Sequence, residues 1–262
     1  MSKKSVLRTC LITAVFVMLM SISIWADQLG ADIPVSYSVA DLYVEATDNT
    51  MLHRLVIPSD GVISITGVEH GSTRNWGLRF SLLQANSVAI NGSGRSYTYV
   101  DGTDKNSSSF SKEFALKAGI YYIRVTNTDY YTIRTKFTAV NDQGNLKKKK
   151  GTTLKKKATK TALFGAGETY AKTEWFKFTL KKPQKVTLTI NTYGDASFRV
   201  TFSGPKPFKK GDTNYISPGY TRTVKYWVQR GRKKLKLSKG TYYIKVQRSS
   251  NDESGYCSIS WK

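Results

Sequence analysis

Few side chains in this sequence could do covalent or metal chemistry. It holds two histidines, His53 and His70, and two cysteines, Cys10 and Cys257. That excludes most His/Cys metal centres and any disulfide framework. His70 follows Glu69 in a Gly-flanked turn, and a carboxylate orienting an imidazole is a fragment of a hydrolytic triad. Adjacent strand residues point to opposite faces, so this spacing sets the two side chains apart and the pair reads as a surface loop. Asp101-Gly102-Thr103-Asp104-Lys105-Asn106 offers the oxygen ligands that calcium uses. It lacks the glycine and distal glutamate of an EF-hand and reads as a polar hairpin loop. The residues therefore assign no catalytic group, no metal ligand and no cofactor, and the expectation is a protein that binds and does not catalyse.

The abundant chemistry is cationic and aromatic. Lys and Arg number 41 against 18 Asp and Glu, a formal charge of +23, and there are 16 Tyr, 11 Phe and 5 Trp. Such a balance points toward anionic partners and says nothing about fold. The charge is also lopsided. Residues 27–144 carry 10 basic and 12 acidic side chains, whereas residues 145–262 carry 28 and 6. If Phe178, Val200, Val224, Leu237 and Ile244 point inward, alternation sends Lys177, Arg199, Lys225, Lys236 and Lys245 outward. Arg230, Arg232, Lys233 and Lys234 crowd a turn, Lys206, Lys209 and Lys210 occupy a Pro/Gly-rich loop, and Trp227 and Tyr243 sit at outward positions among the cations. Cations interleaved with rings hold a polyanion through many weak contacts, the rings stacking on sugars or bases. Lysines at outward strand positions also discourage edge pairing and keep a protein soluble, which accounts for scattered ones. A half with a net charge of +22 asks for more than that.

The elements that must position these groups read as strands. Phe176, Phe178 and Leu180 alternate with Lys177 and Thr179; Val186, Leu188 and Ile190 alternate with Thr187 and Thr189; and Val224, Tyr226 and Val228 alternate with Lys225 and Trp227. Period-2 runs bounded by Gly, Pro, Asn and Asp predict half-buried antiparallel strands. The pattern also recurs along the chain. LKAGIYYIRV at residues 116–125 matches LSKGTYYIKV at 237–246, and LRFSL at 78–82 matches FRVTF at 198–202, offsets of 121 and 120. A period that long predicts tandem whole domains, since solenoid repeats run about 20–50 residues. The expected architecture is all-β: two tandem antiparallel β-sandwich, jelly-roll-like domains after a cleaved signal peptide. Residues 1–26 supply that signal, with Lys3, Lys4 and Arg8 before a 14-residue apolar run, too short for a spanning helix of about 20 residues. Residues 27–144 form the near-neutral first sandwich, 145–160 a Lys-rich linker kept extended by like-charge repulsion, and 161–262 the strongly basic second sandwich. Removing the leader leaves Cys257 as the one cysteine, on the inward face with Ile259 and Trp261, a small core residue.

The two Leu-x-x-Gly-x-Tyr-Tyr-Ile-x-Val segments, with Glu174-Trp175-Phe176-Lys177-Phe178-Thr179-Leu180 upstream of the second, resemble the bacterial pre-peptidase C-terminal domain. The resemblance covers nearly all of residues 158–262 and, more weakly, 33–141, where Leu52-His53-Arg54-Leu55 stands in place of the acidic-Trp-aromatic signature. It implies a jelly-roll-like sandwich of the kind appended to secreted peptidases and other hydrolases, some of which bind calcium or collagen. The expectation here is the module without an attached catalytic domain.

Together these readings lead to a secreted, non-catalytic binding or adhesion protein, extracellular or cell-wall associated. Its basic half attaches to an anionic partner such as a cell-wall polymer or acidic glycan, and its first half takes a protein or carbohydrate ligand. The expected contact residues are Lys177, Arg199, Lys225, Trp227, Arg230, Arg232, Lys233, Lys234, Lys236, Tyr243 and Lys245. No motif for sequence-specific nucleic-acid binding is present, and no second apolar segment follows the leader. The alternatives from other classes are an accessory module or subunit of a secreted hydrolase, and a structural matrix protein.

Overall fold

The computed structural model describes residues 28–45, 50–70, 79–84, 99–101, 109–126, 130–168, 171–205, 212–217, 221–226, 228–230, 233–249 and 254–262. The expected signal segment lies outside them, as do residues 102–106 of the oxygen-rich loop. Among the described residues no helix is long and apolar enough to cross a membrane.

Among the described residues the secondary structure is almost wholly β, mostly antiparallel, and the two halves repeat one strand plan. The first half runs β1 (Gln28–Leu29), β2 (Ala40–Glu45), β3 (Thr50–Ile57), β4 (Gly61–Glu69), β5 (Arg79–Gln84), β6 (Tyr99–Asp101), β7 (Ser109–Leu116), β8 (Gly119–Thr126) and β9 (Tyr130–Ala139). These form one sheet in the order β1-β3-β8-β5-β6 and a second in the order β2-β9-β4-β7. The second half opens with β10 (Thr152–Thr153), β11 (Thr159–Phe164), β12 (Glu174–Leu180), β13 (Val186–Gly194) and β14 (Phe198–Ser203). It continues through β15 (Asp212–Ile216), β16 (Thr221–Tyr226), β17 (Val228–Arg230), β18 (Lys233–Leu235), β19 (Gly240–Arg248) and β20 (Gly255–Trp261). Its sheets, β10-β12-β19-β14-β15 and β11-β20-β13-β16, reproduce the first half's orders, with β17 and β18 added as a separate two-stranded ribbon.

Each half buries its own core between its two sheets, as period-2 patterning requires. Phe176, Phe178, Phe198, Val200, Phe202, Tyr242 and Ile244 face Leu188, Ile190, Cys257, Ile259 and Trp261 in the second half. Leu55, Ile63, Ile65, Phe114, Tyr121, Ile123 and Phe137 play that part in the first. Cys257 is fully buried, and burial pushes its thiol well above the usual range. The repeated Leu-x-x-Gly-x-Tyr-Tyr segment has a physical reason. Its first tyrosine points inward and donates its hydroxyl to the carbonyl four residues earlier, Tyr121 to Lys117 at 3.1 Å and Tyr242 to Ser238 at 3.0 Å. The glycine two residues before it sits at positive φ, 154° at Gly119 and 146° at Gly240, a region side chains avoid. The motif thus closes the turn into the central strand β8 or β19.

Two expectations are corrected. The alternating run through Val224 and Val228 is not one strand: β16 ends at Tyr226, and Val228 begins a ribbon that pairs with β18 instead of the sandwich. Nor are residues 145–160 an extended linker. Lys148–Lys150 form a 3₁₀ turn, β10 pairs parallel with β12, Leu154 is buried in the second core, and β11 begins at Thr159. Burying a leucine stabilises by about 1.5–3 kcal/mol, whereas repulsion between exposed, screened lysines is worth well under that.

The halves meet through an ion network. Asp142 lies just beyond β9, and its Oδ1 accepts the backbone N–H of Leu163, in β11, at 3.2 Å. Its Oδ2 is 2.5 Å from Lys117 Nζ, which also reaches Asp60 at 2.9 Å. Across the seam, Lys172 Nζ contacts Glu168 at 2.8 Å, Glu174 at 3.2 Å and Asp142 at 3.9 Å. Burial works against the charge of Lys117, yet the Asp142 and Asp60 carboxylates outweigh it and hold the ammonium above its ordinary range. Burial pushes the Glu174 carboxyl up, against the pull of Lys172. Beside the network, Val62, Ala115, Val140 and Leu163 form a small apolar cluster, Ala166 of the second half enters the first core, and Ala115 N–H donates to Ser254 Oγ.

Tyr121→Phe and Tyr242→Phe each lower unfolding free energy by about 1 kcal/mol in urea titrations, and the double variant loses the sum because the residues lie in separate cores. Lys172→Met leaves Glu168 and Glu174 without their cation and destabilises by about 3–5 kcal/mol in the same assay.

Candidate functional site

The inner faces of both five-stranded sheets are core, so the groups available to a partner lie on the outer ones. Along β12 the side chains of Trp175, Lys177 and Thr179 face out, between the buried Glu174, Phe176, Phe178 and Leu180. On β19 the outward set is Thr241, Tyr243, Lys245 and Gln247, and on β14 it includes Arg199 and Thr201. Register then decides who meets whom. Lys177 lies opposite Tyr243, Trp175 opposite Lys245, and Arg199 between Gln247 of β19 and Tyr215 of β15. Cation and ring therefore alternate both along and across the strands.

The segment 145–151 completes this face. Trp175 N–H donates to Asn145 O at 2.7 Å, and Lys177 Nζ to Lys149 O at 2.9 Å, which seats the 3₁₀ turn on the sheet. Lys148 Nζ consequently lies 5.0 Å from the centre of the Tyr243 ring and 5.6 Å from that of Trp175. Arg199 covers the Tyr215 ring at 5.7 Å, and Tyr215 is 57% exposed. Such cation–ring contacts are worth about 0.5–1 kcal/mol at exposed sites. They hold Lys148 and Arg199 beside rings, which do not neutralise their charge. No acidic side chain stands among the described outward residues of β12, β19 and β14.

Of the expected contact residues, Lys177, Arg199, Tyr243 and Lys245 share this face. Lys236 is exposed but lies beyond it, beside Leu237, which bridges to Gln184 at the sandwich end. Lys225 belongs to the other sheet, opposite Thr187 of β13. Arg230, Lys233 and Lys234 lie on the β17–β18 ribbon, which pairs with no strand of that sheet. Trp227 and Arg232 lie outside the described residues, as do Lys206, Lys209 and Lys210. Sequence reasoning missed Lys148, Trp175 and Tyr215. Trp175 carried a usable signal, since it alternates in step with Lys177. Lys148 did not, because its place depends on the turn that the linker reading denied.

The first half uses the matching face differently. Arg54 lies opposite Tyr122 and Leu52 opposite Arg124, the positions of Lys177 with Tyr243 and Trp175 with Lys245. Leu52 is buried, and Arg54 is held at 2.9 Å by Asp32, so the pattern there is partly covered and neutralised.

The histidines sit apart from both faces. His53 is fully buried at the inward position matching Phe176, each lying opposite an isoleucine of the central strand. Its Nδ1 is 2.7 Å from the Ala31 carbonyl, which only accepts, so Nδ1 carries the proton and Nε2 accepts the Tyr131 hydroxyl at 2.5 Å. Burial lowers its pKa below 6.5. His70 is exposed and meets Thr132 Oγ1 at 2.8 Å.

No protein-family model and no curated protein matches the chain. Among solved structures it is similar to the pre-peptidase C-terminal domain of a collagenase from Bacillus anthracis, at 16% identity and a TM-score of 0.30, over 42% of this chain and 97% of that one. It is also similar to PliG, a periplasmic inhibitor of g-type lysozyme from Aeromonas hydrophila, at 17% identity and a TM-score of 0.31, over 43% of this chain and all of that one. The tandem CBM22 domains of Paenibacillus barcinonensis Xyn10C match at 10% identity and a TM-score of 0.21, over 80% of this chain and 82% of theirs.

The His53 geometry generates a pH prediction. Its native pKa lies below the unfolded value, so the unfolded chain binds the extra proton first. The contribution of neutral His53 is complete above about pH 6.5 and is lost as pH falls through the lowered native value. Urea midpoints measured from pH 7.5 down to 5 should fall in the parent, and His53→Gln, neutral throughout, should remove that part of the fall.

Proposed function

We propose that this chain is a secreted, non-catalytic binding protein that attaches to acidic polysaccharide through the outer face of its second sandwich. One observation carries the reading: on that face Lys148, Lys177, Arg199 and Lys245 interleave with Trp175, Tyr215 and Tyr243, with no acidic side chain among the described outward residues. Edge protection does not account for it, because β12, β19 and β14 are interior strands flanked by β10 and β15. Solubility needs exposed charge, but it does not need lysines placed against rings.

The chemistry suits an extended acidic saccharide. Exposed rings stack on sugar faces, and the ammonium and guanidinium groups neutralise carboxylates or sulfates along the chain. Affinity built this way comes from many weak contacts and depends strongly on salt. Lysine and arginine both serve, since the need is for charge in a row.

The test uses the whole chain. Separating it at residues 144 and 145 would part Asp142 from Leu163 and Lys172, so fragment binding would confound fold with affinity. Binding to dextran sulfate and to polygalacturonate is measured across a salt series, with neutral dextran as control. The parent binds both acidic polymers, and log affinity falls linearly with log salt. Lys177→Ser with Lys245→Ser lowers that slope by roughly 1.4–1.8, at about 0.7–0.9 per released counterion. Tyr215→Ala weakens binding about tenfold or more at constant slope. Equal binding to neutral dextran, or a slope untouched by the two lysine substitutions, overturns the reading.

A further inference from the structure

At one end of the second sandwich two lysine-bearing turns are held facing each other. The first is pinned at three points. Leu154 N–H donates to Lys177 O at 2.8 Å, Trp261 Nε1–H to Leu154 O at 2.9 Å, and Lys157 N–H to Trp261 O at 2.8 Å. The turn closes with Ala158 N–H on Lys155 O, and Lys157 takes φ of 65°, a left-handed conformation that non-glycine residues rarely adopt. The second turn follows β12 and is fixed by Gln184, whose backbone exchanges two hydrogen bonds with Leu237, at 3.0 and 2.9 Å.

Between them lies an open hollow of about 430 Å³, a size typical of ligand sites. Lys155 and Lys156 flank it from one turn, Lys181 and Lys182 from the other. Leu154 and Trp261 line it from the core and are themselves buried, and Thr153, Thr179 and Gln184 add hydroxyl and amide groups. No carboxylate lines the hollow, and among the described residues none of the four lysines makes an ion pair. A hydrogen-bonded backbone, with one residue at positive φ, thus brings four lysines around one space, an arrangement that an anion relieves. Backbone strain of this kind concentrates at functional sites.

We propose that this hollow is a binding subsite for an acidic sugar unit, a saccharide ring bearing sulfate or carboxylate groups. Ammonium groups act as point charges without the planar fork that selects one anion shape, so they accept either group. The hydroxyls and the amide match the neutral hydroxyls of a sugar. A lone inorganic anion would use the charges and leave the rest of the space to water. The hollow also continues the outer sheet face. Thr179 lines it and shares a 3.0 Å hydrogen bond with Thr241, and Lys177 stands two residues along the same strand. From Thr179 to Trp175 the strand advances about 13 Å, so one polymer occupies both. The inference rests on the acidic-polysaccharide reading and assigns that polymer a second, discrete site.

The experiment compares the parent chain with two variants, Lys155→Ser/Lys156→Ser/Lys181→Ser/Lys182→Ser and Lys177→Ser/Lys245→Ser, against dextran sulfate, a sulfated disaccharide and inorganic sulfate. The four hollow lysines are exposed, and unchanged thermal melts verify folding. The hollow variant is expected to lose disaccharide affinity at least tenfold, while the sheet-face variant keeps it within twofold. Disaccharide binding that is absent in the parent, unchanged in the hollow variant, or matched by inorganic sulfate overturns the subsite. If dextran sulfate binding is lost only through the sheet-face substitutions, the subsite fails and the face stands. If it is lost only through the hollow substitutions, the face fails and the subsite stands.

Discussion

Asp142 is the constraint on which the arrangement turns. One of its carboxylate oxygens accepts backbone N–H groups of Gly144 and Leu163, and the other takes the ammonium of Lys117, with Lys172 at 3.9 Å. A single side chain therefore fixes the exit from β9, the start of the following segment and the approach of the second sandwich. Gly144 passes so close to the Glu174 carboxylate that a Cβ there would overlap it, which leaves the chain one narrow route out of the seam. That route delivers Asn145 to Trp175, Lys148 to the rings of Trp175 and Tyr243, and Lys155 and Lys156 to the hollow. Pairing two charges away from water costs desolvation and repays it only when hydrogen bonds complete the set. Here backbone amides at Asp142, Asp60 and Glu168 supply such bonds, while Glu174 Oε2 is buried without one.

Much of the fold was legible because alternation in a strand is a direct record of burial. Phe176, Phe178 and Leu180, and Val186, Leu188 and Ile190, all lie inward as their spacing requires, and Cys257 lies with Ile259 and Trp261 in the core. Non-local register is another matter. Nothing local says that β16 stops at Tyr226, or that Lys225 and Lys245 sit on different sheets. Four of the eleven expected contact residues nonetheless share one face, because all four come from β12, β19 and β14, which pair side by side through β19.

The misreading of residues 145–160 is instructive about competing energies. Runs of lysine read as extended chain because like charges repel, but exposed ammonium groups are screened within about 10 Å and their repulsion is small. Leu154, a single apolar residue between two such runs, gains more by entering the core. Three hydrogen bonds to Lys177 and Trp261 then fix the turn around it. The lysines follow because their backbone has been positioned, so charge here is carried by the fold and does not direct it.

The comparison of the two halves isolates what the basic half has gained. Both place a cation beside a tyrosine at the same register, Arg54 opposite Tyr122 and Lys177 opposite Tyr243, so the pairing belongs to the strand plan. In the first half Asp32 neutralises Arg54, and Leu52 is buried where Trp175 lies partly open. In the second half the matching cations, Lys177 and Lys245, lie opposite rings, and the nearest carboxylate on the strand, Glu174, is turned inward to Lys172. A ring attracts a cation without cancelling its charge, whereas a carboxylate cancels it. Trading acids for rings therefore orders the cations while leaving their field intact, and a field of one sign along an interior sheet face gains most from an anion that spans it.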